Sequence, residues 1–206
     1  AKGEKPQKKA AGGAAPPGRG GLLAGEEEER SFDAAGLEHW LVKACNGVGL
    51  TRPTDVQWHC IPEVLRGRDV MASAETGSGK TAAFALPILQ LLARDPFGVF
   101  ALVLTPTREL AFQIEEQFAA LGASVGLRQS VVVGGLDMMR QATDLCKRPH
   151  VVIATPGRLA DHIKSSHGVA AALKKTRFLV LDEADRLFEE TFEKELGVIL
   201  AALPQE

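Results

Sequence analysis

Two short stretches carry residues whose types and spacing suit phosphate chemistry. The first is Ala74-Glu75-Thr76-Gly77-Ser78-Gly79-Lys80-Thr81. Gly77 and Gly79 let the backbone curl so that successive amides face one point. A helix starting near Lys80 would aim its N-terminal dipole at the same point and favour an anion there. Lys80 could then reach the β- and γ-phosphates of a triphosphate, and the Thr81 hydroxyl could ligate Mg²⁺. Ala74 stands where the general phosphate-loop pattern has glycine. The second stretch is Asp182-Glu183-Ala184-Asp185, directly after the apolar run Phe178-Leu179-Val180-Leu181. Asp182 suits the holding of Mg²⁺ through water, and Glu183 suits the polarising of an attacking water. Either stretch alone has an ordinary reading, as a glycine-rich turn or as an acidic helix start. Together they describe nucleoside triphosphate hydrolysis, with Lys80, Asp182 and Glu183 as the catalytic set and Thr81 and Asp182 as the metal ligands.

Such residues need elements that hold them. Short apolar runs predict strands at Val70–Ser73, Val99–Thr105, Ser130–Val133, His150–Ala154 and Phe178–Leu181. Amphipathic stretches between them predict helices near Thr81–Arg94, Arg108–Leu121, Met138–Lys147 and Gly157–Ser165. A last helix is expected over about Phe188–Leu203, and two more, near Leu37–Asn46 and Asp55–Leu65, would cap the N-terminal side. Strands alternating with helices imply an α/β fold, a parallel sheet with helices on both faces. In such sheets ligands sit at the carboxyl ends of the strands. Both candidate stretches fall there.

Composition sets outer limits. The 206 residues are 45% apolar and 24% charged, as in an ordinary globular domain. No apolar run reaches the roughly 18 residues of a membrane span, and no membrane partner is expected. No apolar signal core opens the chain, which argues against secretion. Cys45, Cys60 and Cys146 are far apart and form no C-x-x-C pair, so buried thiols in a reducing compartment are expected. The formal net charge of −2 gives no support for a broad basic nucleic-acid face. Residues 1–30 differ from the rest. Lys, Ala, Gly and Pro dominate Ala1 to Gly20, and Glu26 to Glu29 form an acidic run. This composition predicts a disordered tail, with the globular domain at 31–206. The basic cluster reads equally as a nuclear address, an RNA-touching arm or a solubilising tail.

The nucleotide base is the next question. A GTPase should carry N-K-x-D, and the only asparagine is Asn46, in the wrong context. Further strings then join the first two. They are Gly49-Leu-Thr-Arg-Pro-Thr-Asp-Val-Gln57 with Phe32 upstream, Pro106-Thr-Arg-Glu-Leu110, Gly134-Gly135 and Thr155-Pro-Gly-Arg158. With these motifs in this order, residues 31–206 resemble the N-terminal RecA-like domain of the DEAD-box ATP-dependent RNA helicases. Ala74 is normal for that family.

The resemblance implies a RecA-like P-loop NTPase fold and an RNA-stimulated ATPase with ATP and Mg²⁺ as cofactors. It implies that Gln57 pairs with adenine, that Phe32 stacks on it unless it is a plain core aromatic, and that Thr54 supports the phosphate loop. Pro106, Thr107, Arg108, Gly135, Thr155, Gly157 and Arg158 would grip the RNA backbone. Free amides at strand-to-helix junctions can do so without net positive charge. Asp55 and Leu50 depart from the family's usual proline and phenylalanine beside the adenine. The family uses a second helicase domain with arginine fingers, and a Ser-Ala-Thr motif after the acidic box. The chain stops at Glu206 before either, so it is expected to act as a fragment that binds nucleotide weakly and hydrolyses little. The stretch from Val133 to Leu159 is similar to the nucleolar branch that matures ribosomal RNA, which implies a nuclear, nucleolar site and pre-ribosomal partners, with the cytoplasm as alternative. Local duplex unwinding or RNP remodelling is the implied work. An ATP-gated RNA clamp that unwinds nothing, and a DNA helicase or other P-loop ATPase, are the alternatives. Intact Lys80 and Glu183 favour the enzyme, and Gln57 favours ATP and the RNA-helicase family.

Overall fold

The computed structural model describes residues 30–205. The tail expected over 1–30 lies, apart from Arg30, outside the described residues. The centre is a parallel sheet of β1 (Ala101–Leu104), β2 (Gln129–Val132), β3 (Val151–Ala154) and β4 (Phe178–Leu181), in the order β2-β3-β1-β4. All three pairings are in register from the first residue of each strand, Ala101 opposite both Val151 and Phe178, and Gln129 opposite Val151.

The central strands β1 and β3 are buried throughout, which is why they read as unbroken apolar runs. Their side chains alternate between two cores. Ala101, Val103, Val151 and Ile153 join one core with Phe32, Leu41, Ile61, Leu86, Leu89 and Phe118. Leu102, Leu104, Val152 and Ala154 join the other with Leu145, Leu159, Leu173 and Ile199. The first core is covered by α1 (His39–Gly47), α2 (Asp55–Leu65), α3 (Lys80–Arg94) and α4 (Arg108–Gly122). The second is covered by α5 (Met138–Cys146), α6 (Pro156–Ser165), α7 (His167–Leu173), α8 (Ala184–Leu187) and α9 (Glu193–Ala202).

The N-terminal cap is tied to α3 by polar groups. The buried Gln90 accepts from the Glu38 amide at 2.7 Å and donates to the Gly36 carbonyl at 2.9 Å. Arg94 donates twice to the Glu38 carboxylate, at 3.0 and 2.7 Å, and Trp40 donates to its other oxygen. These bonds, Arg94 first, hold the Glu38 carboxyl below its usual range.

Four expectations need correction. Val70–Ser73 is not a strand. It pairs with nothing in the sheet, and Val70 and Met71 stand open to solvent. A cleft of about 1080 Å³, lined by this segment and by β4, separates the two. Apolar character favours a strand only where a neighbour supplies the ladder. The last helix, expected over about Phe188–Leu203, begins only at Glu193 as α9, after the separate short helix α8 and a 3₁₀ turn at Glu190–Phe192. Glu189, Glu190, Glu193 and Glu195 crowd like charges into that stretch, and the restart puts Glu193 and Glu195 in the first turn of α9, where the dipole favours them. Helix α7 lies in the stretch between Ser165 and Phe178, where no element was expected. Ser166 ends α6 and starts α7. Cys45 and Cys60 are buried as expected, with burial pushing the Cys45 thiol up to about 11, but Cys146 is exposed at the end of α5.

Candidate nucleotide and RNA site

The phosphate loop folds as its glycines require. Gly77 and Gly79 adopt φ of 82° and 87°, a region that side chains disfavour. Gly79 is the N-cap of α3, so Lys80 and Thr81 open a fifteen-residue helix whose first amides point into the loop. Lys80 donates its ammonium to the carbonyls of Ala74 and Glu75, the second at 3.1 Å, and so spans the loop.

The Gln57 motif packs directly on this loop. Gln57 is fully buried at the third position of α2. Its side-chain oxygen accepts from the Thr54 amide at 3.0 Å, and its amide nitrogen donates to the Gly79 carbonyl at 3.1 Å. A Cβ on Gly79 would stand 2.3 Å from the Gln57 nitrogen and 3.4 Å from the Thr54 hydroxyl. Gln57 thus ties Thr54, at the start of α2, to the phosphate loop at Gly79. Phe32 is 2% exposed and packs in the first core with Leu41 and Ile61. In this structure Phe32 thus takes the place of a core aromatic.

The acidic box faces the loop across the large cleft. Lys80, Ala74, Glu75 and Thr76 line one wall, and Asp182 and Glu183 line the other. Asp182 extends the sheet, its amide bonded to the Leu104 carbonyl at 2.9 Å. Burial pushes its carboxyl up, Glu183 pushes it further, and Lys80 opposes both. A desolvated carboxylate beside a second acid is under-compensated, and a dication would relieve it. Among the described residues no cluster of three or more His, Cys, Asp or Glu could hold a metal alone. That fits Mg²⁺, which usually takes one or two protein groups together with substrate phosphates and water. Glu183 has φ 51° and ψ 52°, a left-handed conformation that costs a non-glycine residue about 1–3 kcal/mol and clusters at functional sites. Its carboxylate pairs with Arg186 at 3.0 Å. Asp185 is exposed.

The remaining candidate residues converge on a second surface at the same end of the sheet. Thr107 caps α4, accepting from the Leu110 amide at 3.3 Å. Thr155 precedes α6 with Pro156 at its start and makes no side-chain cap bond, which leaves the first-turn amides of Gly157 and Arg158 without a side-chain partner. The Arg108 guanidinium lies over Gly135, where a Cβ would approach it to 2.3 Å, and Gly135 has φ 79°. Arg158 donates to the Leu136 carbonyl at 2.9 Å.

Two residues that no motif pointed to hold this surface together. Gln141, buried in α5, donates to the Val133 carbonyl at 2.9 Å. Its oxygen takes a 3.1 Å bond from His162 and a 3.4 Å bond from Arg158. His162 is fully buried, and burial together with Arg158 lowers its pKa, Asp161 opposing. The only sequence signal for either was a polar residue on an inward helix face.

A phosphate loop facing, across one cleft, an acidic box at the carboxyl end of a parallel-sheet strand defines a P-loop nucleoside triphosphatase domain. The chain belongs to the DEAD/DEAH box helicase family, whose model matches residues 54–206. It is 58% identical over 176 residues to the human probable ATP-dependent RNA helicase DDX49, a match covering 84% of this chain and 36% of that protein. The fission-yeast (Schizosaccharomyces pombe) ATP-dependent RNA helicase dbp8 is 53% identical over 176 residues, covering 85% of this chain and 39% of that protein. The crystal structure of a DEAD box protein from the hyperthermophile Methanococcus jannaschii superimposes with a TM-score of 0.77 at 36% identity, over 84% of this chain and 47% of that one. The chain spans about a third of the length of the curated relatives it matches.

Proposed function

We propose that this chain is the nucleotide-binding part of an ATP-dependent RNA helicase that hydrolyses ATP in response to RNA and uses it to open short duplexes or remodel RNA–protein contacts. One observation carries the reading: the Lys80 loop and the Asp182–Glu183 pair face each other across a single cleft. The amides of Gly77 to Thr81 would take the phosphates, and Lys80 would exchange the Ala74 and Glu75 carbonyls for the β- and γ-phosphate oxygens. Thr81 and Asp182 would hold Mg²⁺, which supplies charge neutralisation at the phosphates. Glu183 would orient the attacking water. Gln57 would read adenine from its place beneath Gly79, so that base recognition and loop shape move together. Thr107, Arg108, Gly135, Thr155, Gly157 and Arg158, with Pro106, would hold the RNA backbone, with little preference for base sequence.

A second helicase domain would complete the hydrolytic site, since an arginine finger supplied from outside typically contributes about 10³–10⁵ in rate. The names of the relatives support an ATP-dependent RNA helicase, and the likeness of the stretch from Val133 to Leu159 to the nucleolar branch is what supports a role in ribosomal RNA processing, with pre-ribosomal partners and a nucleolar site. The test is ATP turnover and strand separation by the complete protein on a short RNA duplex, beside Glu183→Gln. RNA-stimulated turnover with strand release supports the enzyme. RNA retention driven by ATP binding, with no strand release and no loss in Glu183→Gln, would instead make it a clamp.

A further inference from the structure

At the amino ends of its strands, away from Asp182 and Glu183, the sheet begins on a basic edge, one member of which, Arg177, also lines the far end of the large cleft. The residues just before the strands are stitched across it in strand order. The His150 amide donates to the Arg128 carbonyl at 2.8 Å, the Phe100 amide to the His150 carbonyl at 2.8 Å, and the Arg177 amide to the Phe100 carbonyl at 2.9 Å. Adjacent strands lie about 4.8 Å apart, so Arg128 and Arg177 mark the two ends of a row roughly 14 Å long. A cavity of about 600 Å³ opens on this edge, lined by Arg128, Lys147, Arg148, Lys175, Phe97 and Gly98. All four cations are exposed. Lys147 pairs with Asp144, while among the described residues Arg128, Arg148, Lys175 and Arg177 meet no carboxylate within ion-pair distance.

The edge is built, not merely crowded. The Arg128 guanidinium is fixed on the buried His150 ring, 3.0 Å from its Nε2, and Arg177 lies 5.9 Å from both the Phe100 and Phe178 rings. Gly98 permits close passage at the Arg148–Pro149 turn, because a Cβ there would stand 2.0 Å from the Arg148 carbonyl oxygen. In a chain of net charge −2, this concentration of uncompensated cations is local.

We infer that this edge is a second binding surface, for the sugar–phosphate backbone of single-stranded RNA, separate from the surface around Arg108, Gly135 and Arg158 and independent of nucleotide. The two surfaces lie at opposite ends of the strands. A docked protein segment would need an apolar anchor at the centre of its contact. None of the large exposed apolar side chains, such as Phe112, Met139 or Phe188, lies among the residues lining this cavity. Phe97 lines the cavity half-buried, its ring 5.1 Å edge-to-face from Phe100, and places an aromatic beside the cations, the companion that single-strand binding surfaces give them.

The test uses the complete protein without nucleotide, a fluorescent twelve-nucleotide poly(U) strand and a salt series. Lys147→Glu/Lys175→Glu changes two exposed side chains outside the nucleotide and first RNA surfaces. The affinity should fall about tenfold or more. The slope of log affinity against log salt should become shallower by about 1.4, because each phosphate contact on a single strand contributes about 0.7. Unchanged melting and unchanged Mg-ADP affinity establish that the variant is folded. Lys80→Ala, which disables the nucleotide site, should keep the wild-type salt slope, so failure here and failure of the helicase reading are told apart. Equal affinity and slope in wild type and the double variant would overturn the inference. So would a variant that keeps RNA but loses a glutamate-rich peptide, which would assign the edge to acidic protein segments.

Discussion

At Gly79 the backbone sits at φ 87°, and a methyl group there would collide with the Gln57 amide at 2.3 Å. Gly79→Ala should therefore lower stability by about 1–3 kcal/mol from the left-handed strain alone. It should also weaken ATP binding, since the loop and its strut move together. Thermal melting beside labelled-ADP titration checks both, and a variant that melts normally yet loses ADP would separate the two effects. Glu183 carries a similar strain without glycine's tolerance. Glu183→Gln should keep ATP affinity and lower turnover of the complete protein by roughly 10²–10⁴, the usual worth of a positioned base. Glu183→Gly should be as inactive yet melt at a higher temperature. Equal melting of the two would show that the left-handed backbone costs nothing here. The glycines, Lys80 and the acidic pair were legible in the sequence because their chemistry is local. The burial of Phe32 was not, since an aromatic before a helix reads the same whether its face is open or packed.

Among the elements, α5 and α6 set the second surface through Gln141 and His162. Gln141→Leu would orphan the Val133 carbonyl and the His162 ring and remove the longer of the two Arg158 bonds, leaving the one to Leu136. A buried polar group left unpaired costs about 1–3 kcal/mol. Melting should drop by that order, and RNA affinity should weaken while ADP affinity stays. Loss of ADP binding as well would mean that the whole domain had loosened. His162 and His150 add a pH dependence whose sign follows from their lowered pKa values. The unfolded chain takes up their protons first, near a pH of about 6.5. Stability is therefore full above that pH and declines as pH falls toward the lowered native values. Melting from pH 7.5 to 5 should fall less steeply in His162→Gln than in wild type, and parallel curves would remove His162 from the account. Strand and helix positions were mostly readable from apolar period. The Gln141 hub was not, because it joins three elements that only the folded sheet brings together. Helix α7 was not legible, because it follows α6 with Ser166 alone between them.

Across the whole molecule, the sheet separates two functions of charge. The carboxyl ends bring together acids, helix-start amides and a few arginines, and the amino ends carry cations of which, among the described residues, only Lys147 pairs with a carboxylate. The net charge of −2 concealed both, because a sum says nothing about placement. Parallel topology and two-sided cover were legible from the alternation of runs and amphipathic stretches. The order of the strands was not, since it is fixed by packing across β1 and β3.

Strand β4 has one paired neighbour, β1, and its outer rim, with Leu179 37% exposed, faces Val70 and Met71 across open space. An apolar strand rim with unpaired amides and carbonyls is a template for any extended chain that meets it. The practical consequence is colloidal. Residues 30–205 handled alone should self-associate as concentration rises, by strand addition at this rim. Leu179→Lys should suppress that association while leaving ADP affinity intact, and light scattering against concentration reads the difference.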